Sequence, residues 1–275
     1  MLRVTVFFLL ISFPAFSHAQ NIFTALHLNE ISEFKFGKPS QIIETNTFYS
    51  SRNTQIDKNV KTYDNAGMLL EEDRYDEDGK LTAKLKYIND TTKRLILQRI
   101  FERWARIGYS KGTAVYAYDE HNFLIRVTDL DANGSTVNIS ELVNNARGNP
   151  IELRLYARNG GSYGVEKAEY YYDQNMVVTS VYSNDGDRLS TDTLAIDYSK
   201  AGPIDKSVYN DRGDAISYTS KNLDGSRRFF EEEYGYDDAG NWIDQKIYEV
   251  TIKKNGKKRR ELDRRFQKQI IYKLE

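Results

Sequence analysis

One turn recurs through this chain and limits what it can fold into. The clearest copy is Tyr236-Asp237-Asp238-Ala239-Gly240-Asn241-Trp242, where a tyrosine-rich segment ends, an Asp follows and a Gly closes the turn. An Asp at the first turn position accepts hydrogen bonds from backbone N–H groups two residues on, and Gly tolerates the positive φ that a sharp reversal needs. Tyrosines before the turn suit a pleated, half-buried surface. The unit therefore reads strand, short hairpin loop, strand.

Copies follow one another closely. Tyr63-Asp64-Asn65-Ala66-Gly67 and Tyr75-Asp76-Glu77-Asp78-Gly79 start twelve residues apart, and Tyr87-Ile88-Asn89-Asp90-Thr91 follows twelve later. Tyr118-Asp119 and Leu130-Asp131 open two more, and further copies start at Tyr156, Tyr172, Tyr182, Tyr198, Tyr209 and Tyr236. Residues 144–148 and 222–225 are weaker ones. Turns at this density leave no room for crossover helices. Between them the period is two: Leu81, Ala83, Leu85 and Tyr87 alternate with Lys80, Thr82, Lys84 and Lys86, as Ile151, Leu153 and Leu155 alternate with charged neighbours. One apolar and one charged face result. The expected fold is all-β: an elongated, curled antiparallel meander of twelve to sixteen strands.

Two segments depart from the repeat. Residues 21–33 suit a short helix or an irregular lead-in, before a first strand over 41–49. Leu97, Ile100, Phe101, Trp104 and Ile107 stand at helical spacing, which makes a helix over 95–107 an alternative. The flanking register favours a strand there, with 105–112 as a loop before a strand over 113–118.

The first nineteen residues read as a secretory signal, with Arg3 before an apolar run and Ser17-His18-Ala19 at the cleavage site, so that the mature chain starts at Gln20. Residues 20–50 form a lead-in and 51–275 the repeat domain. No later stretch is apolar enough to span a membrane, and no Cys follows the cleavage site to carry a lipid anchor. The chain has no cysteine at all, which for an exported protein favours a bacterial periplasm, cell surface or medium. The Asn-x-Ser/Thr triplets at Asn89, Asn133 and Asn138 fall in turn-like sequence. A net charge of −1 argues against nucleic acid as a partner. Residues 253–268 are strongly basic, and read either as a solvated hairpin that blunts a sheet edge or as a docking patch for an acidic polymer.

These turns resemble the YD repeat of Rhs-type proteins, and the C-terminal part is similar to secreted YD-repeat-like proteins common in Bacteroidetes. The likeness rests on Gly240-Asn241-Trp242, then Tyr248, a basic hairpin around Asn255-Gly256 and a last strand over 265–272; it covers roughly residues 40–275. Tyr172-Asp173-Gln174-Asn175-Met176 lacks the Gly and Tyr182-Ser183-Asn184-Asp185-Gly186 lacks the Asp. The resemblance implies a spiralling β architecture with a suggested affinity for carbohydrate. The chain is too short for a shell enclosing a toxin.

Catalytic chemistry finds little support in the residues. Two histidines beyond the signal and no Cys leave no zinc set, and no metal or other cofactor is expected. The calcium-like run Asp129 to Gly134 has Ser140 where the twelfth-position Glu belongs. A pair of carboxylates acting on a glycan is the enzyme rival. The leading expectation is a non-catalytic exported scaffold or binding module of the bacterial envelope, taking a glycan or a surface protein. A purely structural protein that pairs through its sheet edges is the alternative. Candidate binding residues are the aromatics Trp104, Tyr170, Tyr172, Tyr234, Tyr236 and Trp242, whose rings would stack on sugars unless a cross-strand ladder consumes them.

Overall fold

The computed structural model describes residues 21–28, 34–50, 53–197, 208–221, 226–253 and 255–273. The expected signal sequence and the copy at Tyr198 lie outside them, as does the one at 222–225. One short helix, α1 (Ile22–Leu26), precedes seventeen described strands. The first nine are β1 (Pro39–Tyr49), β2 (Thr54–Tyr63), β3 (Leu69–Tyr75), β4 (Leu81–Asp90), β5 (Leu95–Ala105), β6 (Gly108–Tyr118), β7 (Leu124–Asp131), β8 (Thr136–Asn144) and β9 (Pro150–Ala157). The others are β10 (Ser162–Tyr171), β11 (Met176–Tyr182), β12 (Arg188–Ala195), β13 (Val208–Tyr209), β14 (Ala215–Lys221), β15 (Arg227–Tyr236), β16 (Trp242–Ile252) and β17 (Lys258–Tyr272). All pairings are antiparallel.

Each strand from β1 to β12 pairs with the next, and so does each from β13 to β17. The two runs are joined because β1 also lies against β17, with Ile42 opposite Ile270. Residues 39–49 thus belong to the same sheet as the repeats after residue 50. A buried carboxylate pins this junction: Glu44 lies 2.9 Å from the Lys61 ammonium on β2 and 3.7 Å from Lys268 on β17. The sheet curls but does not close. Alternation of direction brings β12 and β13 toward the same rim, so these two cannot form an antiparallel pair with each other.

The turns work as their chemistry predicts. In the 64–68 turn the Asp64 Oδ1 accepts from the Ala66 and Met68 amides, both at 2.8 Å, and Gly67 has φ +78°. The same double acceptance recurs at Asp76, Asp119, Asp131, Asn145 and Asn210. A ladder irregularity sits just before the tyrosine in many of these hairpins, as between Thr62 and Tyr63. Two expectations are corrected. Tyr87 lies within β4, and the reversal starts three residues later, where Asp90 caps the Thr92 and Lys93 amides and Arg94 takes φ +57°. The segment 95–105 is a strand, but no long loop follows: β6 starts at Gly108, whose φ of +129° allows a two-residue turn at 106–107.

Strand alternation places the turns on two rims. The first rim holds turns 64–68, 119–123, 145–149, 210–214 and 237–241, and there the tyrosines stitch one turn to the next. Tyr272 Oη donates to Asp237 Oδ2 at 2.5 Å and accepts from Asn241 Nδ2 at 2.7 Å. Tyr236 does the same to Asp214 and Asn210, both at 2.8 Å. Residues 34–38 lie across this rim: the Asn241 Oδ1 accepts the Lys35 and Phe36 amides at 2.7 and 2.9 Å, and the Lys35 ammonium reaches Asp214 at 2.9 Å. The apolar core sits below the same rim, on the face lined by Ala114, Tyr116, Leu124, Val127, Leu142, Leu153, Ala168 and Val177. The wholly buried Ile22 of α1 packs into it. The Ile22 amide donates to Glu166 Oε2 at 3.0 Å and the His27 ring nitrogen lies 3.3 Å from the Ala195 carbonyl, which fixes the helix to β10 and β12.

Candidate functional site on the concave wall

Five of the six sequence-predicted aromatics gather in two similar clusters at the first rim. Tyr170 and Tyr172 stack with ring centroids 5.6 Å apart. Tyr170 Oη donates to the Pro150 carbonyl at 2.7 Å, Tyr172 Oη accepts from Asn145 at 2.7 Å, and the Arg147 guanidinium lies 3.9 Å from the Tyr172 centroid. Tyr234 and Tyr236 stack at 6.1 Å, with Trp242 edge-on to Tyr234 at 6.4 Å and Arg212 4.2 Å over Tyr236. Tyr234 Oη donates to Glu232, which also accepts from Gln245 at 2.7 Å. Burial pushes the hydroxyls of Tyr170 and Tyr234 well above the usual tyrosine range, so both remain neutral donors. The Lys268 ammonium stands 3.5 Å over the Trp242 ring. Trp104 joins neither cluster; it lies near the opposite rim against Tyr109, with centroids 5.6 Å apart.

The basic stretch 253–268 is largely neutralised. Arg260 reaches Glu231 at 3.2 Å and Glu233 at 2.7 Å and lies 4.0 Å over Tyr248. Lys258 pairs with Glu231, Arg259 with Glu261, and Arg265 with Asp244 at 2.7 Å. These ion pairs, most of them between strands, leave few charges for an acidic polymer; the hairpin does not blunt a sheet edge, because β17 is paired with β16 on one side and with β1 on the other.

A different constellation emerges on the core face, which forms the concave wall. Arg99, Phe101 and Arg103 alternate along β5 and therefore share that face. Their partners on β6 are Ala114, Gly112 and Ser110, and the next residues across, on β7, are Asp129 opposite Ala114 and Asp131 opposite Gly112. Strand spacing of ~4.8 Å puts the basic and acidic walls about 10 Å apart over a floor with almost no side chain. A Cβ on Gly112 would stand 3.3 Å from the Leu130 carbonyl oxygen, so the floor is bare where the two backbones run close. Among the described residues neither Arg99 nor Arg103 has an ion pair, whereas the neighbouring Arg74 holds Glu72 at 2.6 Å.

The groups on this wall shift one another's ionisation. Burial raises Asp129 from the ordinary carboxylate value to about 6, with the charge of Arg99 opposing the rise. Tyr87 is pushed up to about 12 by burial and by the nearby Glu72, while Arg99 pulls it down. The period-two Arg99, Phe101, Arg103 pattern is the signal that could have revealed this wall from sequence. It was obscured because the same stretch also fits a helix. A smaller cavity of about 200 Å³ lies between Leu26 of α1 and Phe123, Leu124 and Leu142.

No family model matches the chain, and no curated protein matches it. Among solved structures, a porin-like protein from Bacteroides uniformis aligns with 86% of this chain and 99% of its own length, at 11% identity and a TM-score of 0.47. The TcdB2-TccC3 structure lacking its hypervariable C-terminal region aligns with 78% of this chain at 11% identity and a TM-score of 0.22. This chain spans 16% of that one. The class defined by the coordinates is therefore architectural: a curled, open antiparallel sheet of hairpin repeats with a short helix docked at one rim.

Proposed function

We propose that this is an exported, non-catalytic binding module of the bacterial envelope, and that its ligand is an extended acidic glycan lying along the concave wall. The observation that carries the reading is the unpaired Arg99 and Arg103 flanking Phe101 beside the bare strip Ser110, Gly112 and Ala114. Guanidinium groups recognise carboxylates through paired donors, and the strip leaves room for a sugar backbone. The YD-like repeat, with its suggested affinity for carbohydrate, agrees with this.

Calorimetric titration with oligogalacturonate and with an uncharged oligosaccharide of equal length tests the proposal. Saturable binding of the uronate alone, weakened at least tenfold by Arg99→Gln together with Arg103→Gln and reduced by salt, is expected. Equal binding of both sugars, or an unaffected double variant, refutes it. A purely structural role is the second reading, favoured by the use of the rim tyrosines' hydroxyls as turn-to-turn ties.

A further inference from the structure

The β5–β6 hairpin differs from every other described turn on its rim. Those turns each carry an Asp-Gly or Asn-Gly step with the Gly at positive φ, as at 76–80, 131–135, 157–161, 183–187 and 253–257. This one is Arg106-Ile107, closed by Ala105 opposite Gly108. Ile107 is 94% exposed and Tyr109 54%. The hairpin is also unpaired at its tip. On one side the β4 pairing ends at Ala83 with Arg103, and on the other the β7 pairing ends at Asp131 with Gly112, so the last two residues of β5 and the first four of β6 pair only within the hairpin.

The chemistry of the tip is layered. Ile107 is outermost. Behind it the Trp104 and Tyr109 rings pack together on the strand stems, and Tyr109 Oη is held by Glu102 at 2.7 Å. Arg106 stands in the turn itself, and Lys111 lies on the same face as the two rings, 3.8 Å from Glu102. An apolar point followed by an aromatic pair and a basic collar matches the gradient of a membrane interface, from acyl boundary to anionic headgroup. A folded protein partner fits less well. A stable protein interface covers about 800 Å² on each side, and an exposed two-residue turn offers a point rather than a face.

We propose that this hairpin tip docks the protein on an anionic lipid surface, with Ile107 in the acyl boundary, Trp104 and Tyr109 at headgroup depth and Arg106 on lipid phosphate. The attachment is peripheral and independent of the glycan reading. With so little apolar surface, partitioning is weak and reversible, on the order of 10⁴ M⁻¹ or below.

The test uses the chain from Gln20 onward and vesicles of phosphatidylcholine with one quarter phosphatidylglycerol, or of phosphatidylcholine alone. Co-sedimentation with the anionic vesicles, diminished by salt and lowered at least tenfold by Ile107→Asp but not by Ile107→Leu, is expected, with circular dichroism unchanged in both variants. In a Trp242→Phe background the Trp104 emission shifts to the blue and is quenched by brominated acyl chains. If Trp242→Phe unsettles the fold, co-sedimentation decides alone. Undiminished binding by Ile107→Asp, or no binding to either vesicle, overturns the proposal.

Discussion

At the residue scale, buried groups carry consequences that can be measured. Asp129 is 8% exposed and its carboxyl is raised to about 6. The fold therefore favours the protonated form, so the stability due to this group is complete below the unfolded value near 4 and declines as pH rises through 6. The shift corresponds to about 3 kcal/mol. Asp129→Asn is expected to match the parent in urea unfolding at pH 4 and to exceed it by roughly 2–3 kcal/mol at pH 7.5; equal stability at both pH values would show that Asp129 is not so perturbed. Glycines supply a second comparison. Gly148 and Gly79 both have positive φ, but a Cβ on Gly148 would come within 2.4 Å of the Phe123 ring while one on Gly79 meets nothing within 4 Å. Gly79→Ala is expected to cost about 1 kcal/mol for the left-handed backbone alone, and Gly148→Ala at least twice that. Denaturant midpoints that rank them the other way would contradict the packing at that turn.

At the element scale, the repeat's Tyr and Asn residues connect turns that are distant in sequence. Asn241 is 3% exposed and its amide serves the Lys35 and Phe36 amides, the Phe36 carbonyl and Tyr272 Oη. Asn241→Ala leaves several of these groups unsatisfied, so a loss of about 2–4 kcal/mol is expected. Tyr272→Phe removes only the hydroxyl and should cost less, about 1–2 kcal/mol. Chemical unfolding of the two variants checks the order. The turns themselves were legible from the spacing of Tyr, Asp and Gly, and so was the strand at 95–105 from its flanking register. The stitches were not, because a hydroxyl's partner about 20–35 residues away depends on which turns share a rim. The tight turn at 106–107 was also missed, since Arg-Ile carries no turn chemistry before Gly108.

For the whole molecule, the junction of β1 with β17 holds the two runs of strands together. Glu44 lies within ion-pair distance of both Lys61 and Lys268, and the three side chains are 5–12% exposed. Glu44→Ala removes this shared carboxylate, and an unfolding loss of no more than about 3–5 kcal/mol is expected in urea titration. Hydrogen exchange should show the slowest amides in β1, β2 and β17, with β12 and β13 opening first. Faster exchange in β1 than in β12 would mean that the junction does not carry the sheet.

By itself the order of residues determined the hairpins, their period and the alternation of faces, because turn chemistry and a two-residue repeat act over a few neighbours. Tertiary structure alone decided that β1 meets β17, that α1 fills one rim, that five chosen aromatics gather in two clusters at one rim, and that Arg99 and Arg103 share a bare wall with Asp129. Each of those depends on how far the sheet twists and curls, a quantity summed over all its strands and expressed in no single stretch of sequence.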